Sequence, residues 1–112
     1  MFARVVRYKV DPERCDEALE AFEEAAKAIG DIDGNTGGYV MVDGDEGRIV
    51  TVTLWEDQSK MEASEVRASS LRQEALRSVE GDIDSVERLK IATEIANDAQ
   101  PRDAAAAEKT SG

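Results

Sequence analysis

The chain has 112 residues, with 14 Lys and Arg against 25 Asp and Glu, no histidine and one cysteine. Its net charge of −11 argues against binding to nucleic acid or to an anionic membrane surface, because both are negatively charged. Without histidine, one subunit cannot build an imidazole base, a histidine-bound metal or a Ser-His-Asp triad, and a single cysteine excludes an intrachain disulfide.

The N-terminal part of the chain predicts a strand followed by an amphipathic helix. Residues 2–10 are rich in Val, Tyr and Phe, as strands are. Asp11 and Pro12 then have the pattern of a helix start, with an N-cap and a proline at the first helical position. Apolar residues recur from there at three- and four-residue steps, which predicts a helix of about 17 residues ending at Gly30. Cys15 lies on the apolar stripe and is expected to be buried and inert.

The middle of the chain predicts a β-hairpin. Residues 31–38 are rich in Asp, Gly and Asn and predict a loop without the Gly and Glu that a calcium-binding loop needs. Residues 39–42 predict a short strand, residues 43–47 a tight turn, and residues 48–56 a second strand. Both faces of this second strand are apolar or lined by threonine, which is typical of a strand covered on both sides. One layer of helices covers only one of these faces.

A second helix follows the hairpin. The stretch Ser59–Glu62 fits a capping box, in which a serine caps the helix and a glutamate three residues later reaches back. The apolar stripe that follows predicts a helix to about Val79, with a break near residues 69–70. On this helix, Arg67 and Arg72 are expected to face solvent and to pair with nearby glutamates.

The last part of the chain predicts one more strand and a tail. Residues 83–91 predict a strand that extends towards Ile95. Residues 98–112 are small and polar without periodicity, which predicts a disordered tail after a single domain at residues 1–97. No stretch approaches the about 18 apolar residues of a membrane span, so we expect a cytoplasmic protein that binds no membrane.

The predicted order of elements is β-α-β-β-α-β. This order is typical of an α+β, ferredoxin-like sandwich, with a four-stranded antiparallel sheet and two helices on one face. The other face of the sheet is apolar and has to be kept from water. The simplest cover is a second copy of the chain, so the sequence predicts a homodimer with a two-fold axis.

Four segments stand out together: Phe2–Pro12, Gly37-Gly38-Tyr39, the turn at 43–47, and Thr53-Leu54-Trp55-Glu56 followed by Ser59–Ser64. With them, residues 2–95 resemble the antibiotic biosynthesis monooxygenase family of dimeric α/β-barrel proteins. The resemblance implies a ferredoxin-like subunit paired into a dimeric barrel, with a cavity between sheet and helices. Some members of this family oxidise polycyclic aromatic or quinol-like substrates with O2 and without metal or flavin.

A haem-degrading branch of related proteins resembles this chain at Trp55. Those proteins use a helix histidine as the axial iron ligand and an asparagine on the first strand. This chain has no histidine, and residues 4–8 contain no asparagine. Haem degradation is therefore not expected, and no cofactor and no metal are predicted.

Two aromatic residues are the predicted catalytic candidates. The resemblance implies Trp55 as a surface on which a flat substrate stacks, and packing in the core is the alternative. Tyr39 is expected to donate a hydrogen bond to a substrate oxyanion. Its alternative is packing between two sheets at an interface.

Four further residues are predicted to bind substrate: Tyr8, Arg4, Ser64 and Met41. Tyr8 can donate a hydrogen bond, although tyrosines on strands also fill interfaces. A buried Arg4 needs a carboxylate or an anionic ligand, and an ion pair between subunits is the alternative. Ser64 falls on the inward stripe of its helix, where a small residue also permits close approach of helix and sheet.

Three classes of function remain open at this stage. The first is a cofactor-free monooxygenase, in which the protein supplies orientation, a dry cavity and hydrogen-bond donors to a substrate anion. The second is a protein that binds a small hydrophobic metabolite, and the third is a structural or regulatory dimer. A cavity of about 300 Å³ or more near Trp55 is expected for the first two, and a filled interior for the third.

Overall fold

The computed structural model describes residues 1–96, and the predicted tail at residues 98–112 lies outside the described residues. The strands are β1 (Phe2–Lys9), β2 (Asn35–Asp43), β3 (Arg48–Trp55) and β4 (Asp82–Lys90). They form one antiparallel sheet in the order β2-β3-β1-β4. The helices are α1 (Cys15–Gly30), α2 (Gln58–Ala63) and α3 (Glu65–Val79), all on one face of the sheet. The predicted α+β, ferredoxin-like fold is confirmed.

The first helical segment begins at the predicted cap. The carboxylate of Asp11 accepts a hydrogen bond from the backbone N–H of Glu13, at 2.9 Å. Pro12 opens a single 3₁₀ turn that leads directly into α1. Cys15, the first residue of α1, is buried in the core as predicted. Burial raises the pKa of its thiol, which favours the protonated form.

The predicted second helix is two helices, and the break lies at Ser64 rather than near residues 69–70. The hydroxyl of Ser64 donates to the carbonyl oxygen of Met61, three residues earlier, at 2.6 Å. Such a local bond between side chain and backbone competes with the regular helical pattern, which is the physical reason for the break.

The predicted cap of the second helix is wrong by two positions. Asp57 is the N-cap of α2, and its carboxylate accepts a hydrogen bond from the backbone N–H of Lys60 at 2.8 Å. Ser59 lies inside the helix. Aspartate and serine are nearly equal as N-caps, so the capping-box pattern alone does not distinguish the two starts.

Strand β2 begins at Asn35, inside the predicted loop, rather than at Tyr39. Its pairing with β3 is irregular between Asn35 and Gly37, where the Asn35 side chain accepts a hydrogen bond from the Gly37 backbone N–H at 2.9 Å. A Cβ atom at Gly38 would collide with the backbone carbonyl of Val52. Gly38 therefore permits close pairing with β3, and Gly37 allows the positive φ of 130° at the irregular pairing.

Alternation along the strands gives the sheet one face towards the helices and one without a helical layer. On β1, Arg4, Val6 and Tyr8 point to the helices and are buried, whereas Val5 and Arg7 point the other way. We call the second face the uncovered sheet face. The strand register assigns to it the apolar side chains of Ala3, Val5, Tyr39, Met41, Val50, Val52, Leu54 and Leu89. Tyr39 is 67% exposed and Leu89 51% exposed, which is unusual for side chains of this size.

Two clusters of buried side chains hold the helices on the sheet. The larger cluster includes Val6, Tyr8, Val10, Cys15, Ala18, Phe22, Ala25, Ile49, Ala75, Leu76 and Val79. The smaller cluster consists of Ile29, Trp55, Met61 and Ala68. Among residues 1–96, no helix is both long and apolar enough to cross a membrane.

Candidate functional site

A cavity of about 180 Å³ lies between α1 and the sheet, lined by members of both core clusters. It is smaller than the expected 300 Å³, and Trp55 does not line it. The lining residues are Val6, Phe22, Ala25, Ala26, Ile29, Gly30, Asn35, Gly37, Gly38, Tyr39, Val40, Thr51, Val52, Thr53 and Arg72. The walls are mostly apolar.

Arg72 is the charged residue of this lining, and it is only 5% exposed. Its Nε has no hydrogen-bond partner, and no carboxylate within residues 1–96 forms an ion pair with it. The prediction that Arg72 faces solvent is therefore wrong. A buried guanidinium without a partner is costly, because it loses its hydration without gaining an opposite charge. The arrangement is suited to an anionic ligand.

A pair of hydroxyl groups provides a second polar contact in the cavity. The Tyr8 phenol and the Thr51 hydroxyl lie 3.3 Å apart, and either one can be the donor. Thr51 lines the cavity, and Tyr8 lies behind it. Burial raises the pKa of the Tyr8 phenol, although the hydrogen bond with Thr51 and the charge of Arg72 act in the opposite direction. Thr51 can therefore donate to a ligand or accept from it.

Trp55 is fully buried in the smaller core cluster. Its indole Nε1 donates to the hydroxyl of Thr53 at 3.0 Å, and the Arg4 guanidinium lies 5.3 Å from the ring centre. No face of the ring is open to a substrate in this structure, which corresponds to the core-packing alternative. Trp55 does not line the cavity, but its hydrogen-bond partner Thr53 does.

Arg4 is fully buried and has its ion pair within the same subunit. Its Nη2 donates to the carbonyl oxygen of Met61 at 2.8 Å and to the hydroxyl of Ser64 at 2.9 Å. The same nitrogen lies 3.1 Å from the carboxylate of Glu65, which also accepts a hydrogen bond from Arg88 at 2.5 Å. Within the subunit, Glu65 supplies the carboxylate that a buried Arg4 needs. Arg4 and Ser64 do not line the cavity; they fix the break between α2 and α3 against β1.

The interior on the helix side of the sheet carries more positive than negative charge. Arg4 and Arg72 are both buried, and Glu65 is the carboxylate that pairs with one of them. Burial lowers the pKa of Arg4, the charge of Glu65 raises it, and the charge of Arg72 lowers it further. Within residues 1–96, no group of three or more Asp, Glu or Cys side chains is arranged to hold a metal ion. The site therefore favours anions, although the chain as a whole is acidic.

Tyr39 and Met41 have a different position from the other predicted site residues. Both point to the uncovered sheet face by strand alternation, and they are 67% and 47% exposed. Tyr39 also lies at the rim of the cavity, whereas Met41 does not line it.

Sequence reasoning missed the polar residues that line the cavity, above all Arg72 and Thr51. The spacing of Arg72 predicts its burial, because it lies four residues after Ala68 and three before Ala75 on the buried stripe of α3. Thr51 had a weaker signal, as one of the threonines of β3 on the helix side.

Replacing Glu65 with Gln is expected to destabilise the protein by about 3 kcal/mol, because the buried Arg4 loses its opposite charge. The Arg88 hydrogen bond, followed by the charge of Arg4, holds the pKa of Glu65 below its usual value. The carboxylate therefore contributes stability that is present above about pH 4.3 and is lost as the pH falls through the lowered folded-state pKa. Urea unfolding from pH 7 to 2.5 measures this difference.

The Glu65→Gln variant should show a flatter acid limb than the wild type. Glu62→Gln is a matched control, since the Glu62 side chain is exposed and its hydrogen bond within residues 1–96 is to Gln58 on the same helix. Equal pH profiles for the wild type and Glu65→Gln would contradict the assignment of this ion pair.

The family profile of antibiotic biosynthesis monooxygenases matches residues 1–71. The chain belongs to this family. No curated protein sequence matches it significantly. Among solved structures, a Deinococcus radiodurans protein described as a candidate antibiotic biosynthesis monooxygenase has a TM-score of 0.71 at 15% identity, over 87% of this chain and 98% of that one.

Two other solved structures share the fold of this chain. SnoaB, a cofactor-independent oxygenase from Streptomyces nogalater, has a TM-score of 0.68 at 16% identity, over 86% of this chain and 97% of SnoaB. Rv0793 from Mycobacterium tuberculosis has a TM-score of 0.66 at 12% identity, over 85% of this chain and 98% of Rv0793. At these identities the likeness shows a common fold, and the chemistry has to be argued from the site of this chain.

Proposed function

We propose that this chain is a monooxygenase that uses O2 without a metal or an organic cofactor and acts on a small aromatic or quinol-like substrate. The substrate is held as its anion in the cavity between α1 and the sheet. The observation that carries the proposal is Arg72, a buried arginine in a mostly apolar lining, whose Nε has no hydrogen-bond partner among residues 1–96. Membership of the family and the fold shared with a cofactor-independent oxygenase support the reaction class.

The reaction needs no external reductant. Loss of a proton to water from an acidic CH2 group or a phenolic O–H gives an electron-rich anion, which transfers one electron to O2. The substrate radical and superoxide combine into a C–O bond at a carbon that still carries a hydrogen, and protonation gives a hydroperoxide that eliminates water to leave C=O. One oxygen atom ends in the product and the other in water, and the substrate supplies all four electrons.

The protein's part in this reaction is to bind and orient the anion. Arg72 lowers the energy of the anion by placing a positive charge in a medium of low polarity. Thr51 provides a hydroxyl that Tyr8 holds from behind. Thr53 accepts the Trp55 N–H, so its own proton is free to donate to the ligand. In this proposal Trp55 and Tyr8 are positioning residues.

We further propose that the chain forms a homodimer through the uncovered sheet face. Apolar side chains from all four strands share this face, and proteins of the family are commonly dimeric. Burial of such a surface against a second copy is strongly favourable. The Tyr39 side chain points to this face, away from the helix side on which the cavity lies, so in this proposal it packs between the two sheets.

Oxygen consumption tests the proposed reaction. The purified protein, treated with EDTA, is offered a panel of hydroquinones, anthrones and flavonols, and products are analysed by mass spectrometry under ¹⁸O2. At least one substrate is expected to be oxidised above the uncatalysed rate, with one labelled oxygen in the product. Binding of these compounds without oxygen consumption would favour the alternative, a protein that binds a small metabolite. Loss of activity on EDTA treatment would contradict metal-free chemistry.

A further inference from the structure

The dimensions of the cavity limit the substrate more narrowly than the proposed function does. We infer that the site takes an anion with one aromatic ring and excludes three fused rings. This inference rests on the proposed function for the identity of the ligand as a substrate. It differs from the polycyclic substrates that the family resemblance implies.

The volume is the first argument. The cavity measures about 180 Å³. A cavity of about 150 Å³ takes up benzene, whereas pockets for drug-sized ligands measure about 300–1,000 Å³. The space therefore suits one ring with one or two small substituents.

The rigidity of the walls is the second argument. Phe22 is 1% exposed, its ring lies 4.5 Å from that of Tyr8, and Ile29 belongs to the smaller core cluster. Such close-packed side chains cannot move aside without loss of core contacts. The free space exists because α1 presents small side chains, Ala25 and Ala26, to the sheet. These alanines therefore set the size of the ligand.

The polar groups give the third argument. Arg72 offers an N–H without a partner, and Thr51 offers a hydroxyl. A ring with an ionised oxygen and a second oxygen substituent can use both groups at once. A neutral ring leaves the charge of Arg72 without a partner.

Binding of carboxylates that cannot be oxidised tests this inference independently of turnover. Benzoate, 2-naphthoate and anthracene-2-carboxylate are fully ionised at pH 7 and carry one, two and three rings. Isothermal titration calorimetry is expected to show benzoate bound at least 10-fold more tightly than anthracene-2-carboxylate. Benzamide, which is neutral and has nearly the same shape, is expected to bind at least 10-fold more weakly than benzoate.

Variants of α1 and β2 identify the cavity as the binding site. Ala26→Leu fills the space and is expected to weaken benzoate binding at least 10-fold, with a circular dichroism spectrum like that of the wild type. Ala28→Leu is the matched control, because Ala28 lies on the same helix and does not line the cavity. Val40→Ala enlarges the cavity and is expected to increase the affinity for 2-naphthoate.

Each outcome has a distinct meaning. Binding of anthracene-2-carboxylate as tight as that of benzoate would overturn the size limit and leave the proposed reaction intact. Equal binding of benzoate and benzamide, or unchanged benzoate binding by Ala26→Leu, would overturn the assignment of an anion site in this cavity. The expected binding pattern without oxygen consumption by any substrate would support the inference and contradict the proposed oxygenase.

Discussion

Replacement of Arg72 with Met is expected to lower kcat/KM for oxygen-dependent turnover by about 100-fold or more, because removal of one oxyanion-stabilising donor has effects of this size. The same change is expected to leave the protein at least as stable as the wild type, since it removes a buried charge that forms no ion pair within residues 1–96. Steady-state oxygen consumption and thermal unfolding measure the two effects. A loss of activity without a loss of stability distinguishes a ligand-binding arginine from a structural one.

Two further variants of α3 make this test specific. Arg67→Met removes an exposed arginine of the same helix and is expected to change neither activity nor stability. Arg72→Lys keeps the positive charge and loses the flat guanidinium, so we expect partial recovery of kcat/KM relative to Arg72→Met. An Arg72→Met variant that unfolds more easily and retains its kcat/KM would show that Arg72 serves the fold.

Replacement of Val5 with Glu is expected to convert the proposed dimer into a monomer at micromolar concentration. Val5 lies on a central strand of the uncovered sheet face, paired with Val52 on one side and Glu87 on the other. A carboxylate at this position would be buried beside another carboxylate, which costs several kcal/mol. Multi-angle light scattering coupled to gel filtration measures the mass of the wild type and the variant.

Val66→Glu is the control for this experiment, because Val66 lies on α3 and is 84% exposed. It is expected to remain dimeric. A wild-type protein that is monomeric at micromolar concentration would contradict the proposed interface.

Trp55 and Arg72 differ in how their sequence-based predictions compare with their positions in the structure. Trp55 is the single tryptophan and lies at a strand end, yet it is enclosed in the core and acts on the cavity only through Thr53. Arg72 is one of many charged residues of α3 and is the one that lines the cavity. In this chain the rare residue type is enclosed in the core, and the charge on the buried stripe lines the cavity.

Local errors in the predicted elements also have physical causes. The break at Ser64, between α2 and α3, is stabilised by Arg4 on β1, which donates a hydrogen bond to the Ser64 hydroxyl. The early start of β2 depends on the pairing of its glycines with β3. Neither partner is near in sequence, so local pattern and propensity do not predict these features.

The order of strands and helices, the ferredoxin-like sheet and the apolar character of its second face are determined by the sequence alone. They depend on periodicity, caps and turn residues, which act over a few neighbouring positions. The place of the cavity, the enclosure of Trp55 and the burial of Arg72 are decided only by the tertiary structure. The reason is that each depends on how α1 and α3 pack over the sheet, and the packing of distant segments determines which polar residue on an amphipathic stripe is left without a partner.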